Sequence, residues 1–120
     1  MNFLMIPVSN GELLDKITIL QLKSRKINNI FVDKELTDLI EIAKKFNIYK
    51  KSYLEKLFEV NAKLWDIEDR LRYLEKLKKF DDEFIDLARK VYTINDERAL
   101  IKKNINEKTN SSYQEVKLYS

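Results

Sequence analysis

The sequence predicts an all-α protein: a small helical bundle built on an antiparallel hairpin of long helices, with one or two further helices against it. Three observations carry this. The 120 residues include one Gly and one Pro, too little turn material for a sheet, while Leu, Ile, Lys and Glu dominate and favour helices. Apolar residues recur at helical spacing along most of the chain. From Tyr53 onward that spacing becomes a coiled-coil seam, in which Tyr53, Leu57, Val60, Leu64, Ile67, Leu71 and Leu74 alternate steps of four and three.

The first helix is expected where Ser9 is followed three residues later by Glu12, a capping-box spacing in which each side chain satisfies a free N–H of the other. Leu13, Ile17, Leu20 and Ile27, with Leu14 beside them, keep the period to about Asn28. Gly11 falls in the first turn, either as a tolerated glycine or as an opening through which an anion reaches the helix N-terminus. A second helix is expected after Asp33 as N-cap, with Leu36, Leu39, Ile40 and Ala43 inward, loosening around Phe46, Asn47 and Ile48. The spacing leaves open whether it continues into the third helix, which ends near Lys79. An acidic junction at Phe80, Asp81 and Asp82 suits the start of a fourth helix, because negative charge complements the positive end of the helix dipole. There Phe84, Leu87, Val91, Ile94, Arg98, Ile101 and Ile105 repeat the seam, so one seam position is an arginine.

Periodicity stops after Glu107. A loop is expected from about Thr109, then a tail that either packs through Val116, Leu118 and Tyr119 or frays. The organisation expected is one domain over residues 1–120, with an extended segment at 1–8 and the tail at 109–120.

With no Cys and no His, disulfides, thiol nucleophiles, histidine triads and the usual zinc sites are excluded. The opening MNFLMIPV has no basic leader, and no segment approaches the roughly 20 apolar residues of a membrane span, so a cytoplasmic location without a membrane partner is expected. Net charge is only +3. It is unevenly spread: Lys44, Lys45, Lys50, Lys51, Lys56 and Lys63 face only Glu55 and Glu59, whereas Asp81, Asp82, Glu83 and Asp86 cluster. Interleaved acids and the absence of Arg make a solvated helix face the simpler reading of the lysines, and nucleic acid is not the expected partner.

Two long helices joined by a short turn centred near Phe80 bring residues whose numbers sum to about 160 opposite one another. Asn61, Trp65 and Glu68 should then meet Asn95, Arg98 and Lys102. An arginine on an apolar seam must be paired, since stranding one partner of a buried ion pair costs on the order of 3–5 kcal/mol. Glu68 is the partner this register suggests, followed by Asp66 and Asp69. Two readings stand side by side: a buried polar network that fixes helix register, or a pocket in which Arg98 and Lys102 hold an anionic small molecule while Trp65 stacks on a ring. A sharper enzymatic version makes Asp66 and Asp69, with Glu68, ligands for Mg2+ as in all-helical nucleotide pyrophosphohydrolases, but the facing helix offers only Asn95, Asp96 and Glu97. A chorismate-mutase-like site has only Arg25 and Lys26 to draw on, and nothing specific places them.

The strings PVSNGELLDKITILQLK (Pro7 to Lys23), VNAKLWDIEDRLR (Val60 to Arg72), FIDLARKVYTINDERALIKKNIN (Phe84 to Asn106) and EVKLYS (Glu115 to Ser120) cover most of the chain. Above all in GEL-x-DKITIL, LWDIED and ND-x-RA, they resemble an uncharacterised family of short helical proteins from bacteria and phages, a domain of unknown function. The resemblance implies that Asp15, Lys16, Trp65, Asp66, Glu68, Asp69, Asn95, Asp96, Arg98 and Lys117 belong to the family pattern, and it implies no activity. The segment from Asn28 to Lys56 carries none of these motifs. The expectation is therefore a non-enzymatic helical module that self-associates through its third and fourth helices, without a cofactor. The alternative is a small-molecule or nucleotide-binding protein, at its sharpest a Mg2+-dependent hydrolase.

Overall fold

Among the described residues four helices form: α1 (Asn10–Lys26), α2 (Ile30–Lys45), α3 (Lys51–Lys76) and α4 (Asp82–Lys108). The computed structural model describes residues 2–117, and among these no strand is present. Leu118 and Tyr119, expected to help pack the tail, lie outside the described residues.

Ser9 caps α1, its hydroxyl accepting from the Glu12 amide at 3.1 Å. The reciprocal half of the capping box is not made, because the Glu12 carboxylate turns instead to the Lys102 ammonium, 2.7 Å away. The second helix begins earlier than Asp33. Asn29 is its N-cap, with Oδ1 accepting from the amides of Phe31 (2.8 Å) and Val32 (3.2 Å), and Asp33 sits in the first turn, where its charge complements the positive end of the helix dipole.

α2 ends in a left-handed residue, Asn47 (φ 58°), that lets the Ile48 amide donate back to the Ala43 carbonyl at 3.0 Å. Ile48 and Ala43 are both buried, the apolar contact that accompanies this closure, and it separates α2 from α3. The same closure stops α3, with Lys78 left-handed (φ 56°) and the Lys79 amide donating to the Leu74 carbonyl. It also stops α4, with Asn110 left-handed (φ 53°) and the Ser111 amide donating to the Asn106 carbonyl. None of the three positions is the chain's glycine.

α3 and α4 pack antiparallel along the predicted seam. α1 lies against both, and α2 packs on α1 alone. The first helix is thus the centre of the bundle, which is why Gly11, Leu14, Asp15, Ile17, Thr18, Leu20 and Leu22 are buried on several sides of it. Leu14, Ile17, Ala43, Ile48, Leu57 and Ile105 form one apolar cluster. This cluster gathers the start of α1, the end of α2, the start of α3 and the end of α4 at one end of the molecule. Toward the other end α1 stops at Lys26, whose ammonium lies 5.4 Å from the centre of the Trp65 ring. α3 runs 11 residues further, roughly 16 Å at 1.5 Å per residue. There the α3–α4 hairpin continues as two helices only, and Ile67, Leu71, Phe84, Leu87 and Val91 are half-buried.

The tail folds back by polar contacts rather than through Val116, which is exposed. Lys117 pairs with Asp96, Glu115 lies 3.5 Å from the Lys102 ammonium, and the Gln114 side chain donates to the Ser111 carbonyl.

Candidate functional site

Arg98, the arginine of the α4 seam, meets Asp15 of α1. Its Nε donates to both carboxylate oxygens (3.0 and 3.2 Å) and its Nη2 donates to Oδ2 at 2.5 Å. Asp15 is 1% exposed, and the Arg98 side chain is 27% exposed. Asn61 of α3 donates through Nδ2 to Asp15 Oδ1 (2.8 Å) and to the Thr18 hydroxyl (2.9 Å), and that hydroxyl donates to the Asp15 carbonyl. Asn95 accepts from Arg98 Nη1 at 3.3 Å. One carboxylate on the central helix therefore ties α1, α3 and α4 together. The Arg98 pKa is raised, first by its hydrogen bonds to Asp15, against the effect of burial, and further by the charges of Asp15, Glu12 and Glu115.

A second ion pair sits one turn further along α4. Lys102 has a side chain only 10% exposed, held between Glu12 at 2.7 Å and Glu115 at 3.5 Å. Below it the two helices nearly touch. A Cβ on Gly11 would stand 2.7 Å from the Lys102 carbonyl oxygen and 2.9 Å from Asn106 Oδ1, so only glycine fits. Asn106 is fully buried and its Oδ1 accepts from the Gly11 amide at 2.7 Å. Its Nδ2 has no partner.

The Asn10 amide donates to the Ser111 hydroxyl at 3.0 Å, so with Gly11 on Asn106 and Glu12 on Ser9, the opening amides of α1 are all taken by side chains. This removes the anion site considered at Gly11. The glycine serves the close approach of α4 instead.

Of the residues expected to converge, Asn61 and Arg98 do so through Asp15 and Asn95 through Arg98, while Lys102 joins a separate pair. Glu68 is not the partner of Arg98. Its half-exposed carboxylate lies 4.0 Å from Arg72, because α1 fills the groove between α3 and α4 and supplies the nearer acid. Trp65 lies against Lys26 of α1. Asp66 and Asp69 are exposed, and Asp69 accepts from Arg72 at 3.0 Å. Among the described residues no group of three or more acids stands where it could hold a metal ion.

Asp15 and Thr18, which the seam arithmetic missed, are the centre of the network. A signal was available: Asp15 directly follows Leu13 and Leu14 and precedes Ile17 on the helix face expected to turn inward, and so is a candidate counterpart for an arginine on another apolar seam. Open space lies elsewhere. A groove of about 400 Å3 between α1 and α3 is lined by Gln21, Arg25, Tyr49, Leu54 and Phe58, and a smaller one of about 70 Å3 between α3 and α4 by Tyr53, Lys56, Ile101 and Lys108. Neither includes Asp15, Arg98 or Lys102.

Fold and site together define an all-α module whose interior charges are neutralised by its own side chains. Within that class the chain belongs to a family of unknown function, DUF6165, whose model matches residues 4–120. No curated protein and no solved structure matches it. No described helix is long and apolar enough to cross a membrane.

Proposed function

We propose that this chain is a non-enzymatic helical interaction module that self-associates through the part of the α3–α4 hairpin beyond α1, where two hairpins complete a four-helix bundle. The observation that carries this is the uncovered apolar surface of that part. On α4 Ile85 and Tyr92 are 51% and 61% exposed, and on α3 Tyr73 and Leu77 are 51% and 55% exposed, flanking a seam in which Leu74 is buried and Ile67, Leu71, Phe84, Leu87 and Val91 are half-buried. A second copy is the occupant that fits. The hairpin offers basic residues at the end of α3 and in the turn after it (Lys76, Lys78, Lys79) beside an acidic start of α4 (Asp81, Asp82, Glu83, Asp86), a surface that complements itself on two-fold pairing.

The Asp15–Arg98–Asn61 network serves that function by fixing α1 in register on the hairpin, leaving the far half free. The reading of Arg98 and Lys102 as a pocket for an anionic ligand has less support, since Asp15, Glu12 and Glu115 already stand against both cations.

Light scattering at micromolar concentration tests the proposal. A dimer or larger is expected, and Ile85→Glu with Tyr92→Glu, both exposed and seven residues apart on one face of α4, should dissociate it without loss of helicity. A monomer at every concentration overturns it.

A further inference from the structure

The opposite end of the molecule carries a different surface. The segment before α1 enters the helix at this end through Ser9, and it is a run of apolar side chains that nothing covers: Phe3, Leu4, Met5 and Ile6 are 71–94% exposed, and Phe46 at the end of α2 is exposed as well. The same end collects lysines from three helices. Lys44 and Lys45 close α2, Lys50 and Lys51 open α3, and Lys108 closes α4; all are exposed.

Lysines at the ends of α2 and α4 complement the helix dipoles. Those at the start of α3 do the reverse: the first turn has no acid, the N-cap Lys50 makes no side-chain cap, and two cations stand at the positive end of the dipole. Among the described residues Lys45, Lys50 and Lys108 have no ion-pair partner, and Lys51 reaches only Glu55 at 3.5 Å, with 86% of its side chain exposed. Glu41 and Glu107 stand next to the collar in sequence, Glu59 lies a turn beyond Glu55 on α3, and Glu12 at the start of α1 is taken by Lys102 at 2.7 Å.

We propose that this end docks on an anionic lipid surface, with the apolar segment entering the headgroup boundary and the lysine collar lying on the phosphates. The two features act together. Apolar side chains supply insertion, cations supply attraction to acidic headgroups, and peripheral attachment uses both signals at once. A nucleic acid would use the lysines and leave Phe3 to Ile6 in water. The proposal involves no membrane-crossing helix, and it concerns the end remote from the hairpin surface, so it stands or falls separately from self-association.

Co-sedimentation of the full chain tests it, with vesicles of equal parts phosphatidylcholine and phosphatidylglycerol against vesicles of phosphatidylcholine alone. Partition to the mixed vesicles only, weakening as salt rises, is expected. Phe3→Ser with Ile6→Ser should lower it at least tenfold, and Lys50→Glu with Lys51→Glu also at least tenfold, at roughly fivefold for each charge lost near the surface. All four positions are exposed, so helicity and thermal midpoint should not change. Failure to sediment with mixed vesicles overturns the proposal, as does equal binding to neutral ones. Binding that survives the Phe3/Ile6 substitutions and is matched by duplex DNA also overturns it, in favour of a polyanion site.

Discussion

Replacing Asp15 by Ala removes four hydrogen bonds at once, three from Arg98 and one from Asn61, at a position with almost no access to water. Deleting one partner of a buried pair costs about 3–5 kcal/mol, because the other charge is left without compensation. The two partners are not equally buried, and that asymmetry sets the expected order. Asp15→Ala leaves a guanidinium that is 27% exposed and keeps Asn95, so water relieves part of the loss and the cost falls near 3 kcal/mol. Arg98→Ala leaves a carboxylate that is 1% exposed with only Asn61 to bond it, and the cost falls near 5 kcal/mol. Removing both charges with Asp15→Leu and Arg98→Met takes away the mismatch, and the double variant should lie within roughly 1 kcal/mol of the parent. Urea denaturation followed by helical circular dichroism gives these values, with unchanged slope as evidence that the unfolding reaction is the same. A double variant whose loss equals the sum of the single losses, or single losses below about 1 kcal/mol, refutes the assignment of Asp15 and Arg98 as a coupled buried pair.

Gly11→Ala should destabilise by about 1–3 kcal/mol despite the better helix propensity of alanine, because the added methyl meets a backbone carbonyl of α4 that moves only with the whole helix. Thermal unfolding reads this, and a stabilised variant contradicts the close packing of α1 on α4. At Lys78, held left-handed, Gly should be neutral or stabilising, and Val should fall at least 1 kcal/mol below Gly, since a β-branched side chain tolerates that conformation worst. Equal midpoints for the two variants would show that the turn relaxes. Glu83 has its pKa lowered by its hydrogen bonds to Arg70. Its folded value lies below its unfolded one, so the contribution is present above the ordinary glutamate range and lost as pH falls through the lowered folded value. An NMR titration of Glu83 should show the depressed midpoint, which Arg70→Gln returns to the ordinary range.

Much of this architecture is legible in the sequence, because helical periodicity is local. Both seams of the long hairpin, the turn near Phe80 and the start of α1 at Ser9 followed from spacing and capping chemistry. The start of α2 did not, because Asn29 and Asp33 are both acceptable caps and sequence does not rank them. The partner of Arg98 is not legible for a different reason. Register arithmetic treats two helices at a time and offered Glu68, whereas a third helix lies in the groove between them. Likewise Gly11 carries no mark that distinguishes a glycine open to an anion from one pressed against another backbone.

What the sequence alone determined is the set of elements and their apolar faces: an all-α chain, two long helices bound to pair, and an arginine on a seam that had to find an anion. What only the tertiary structure decided is which anion. That choice depends on where α1 crosses the hairpin, a distance between residues more than eighty positions apart. It brings Asp15 and Asn61 to Arg98, turns Glu12 from its own helix cap to Lys102, and leaves the far half of the hairpin uncovered.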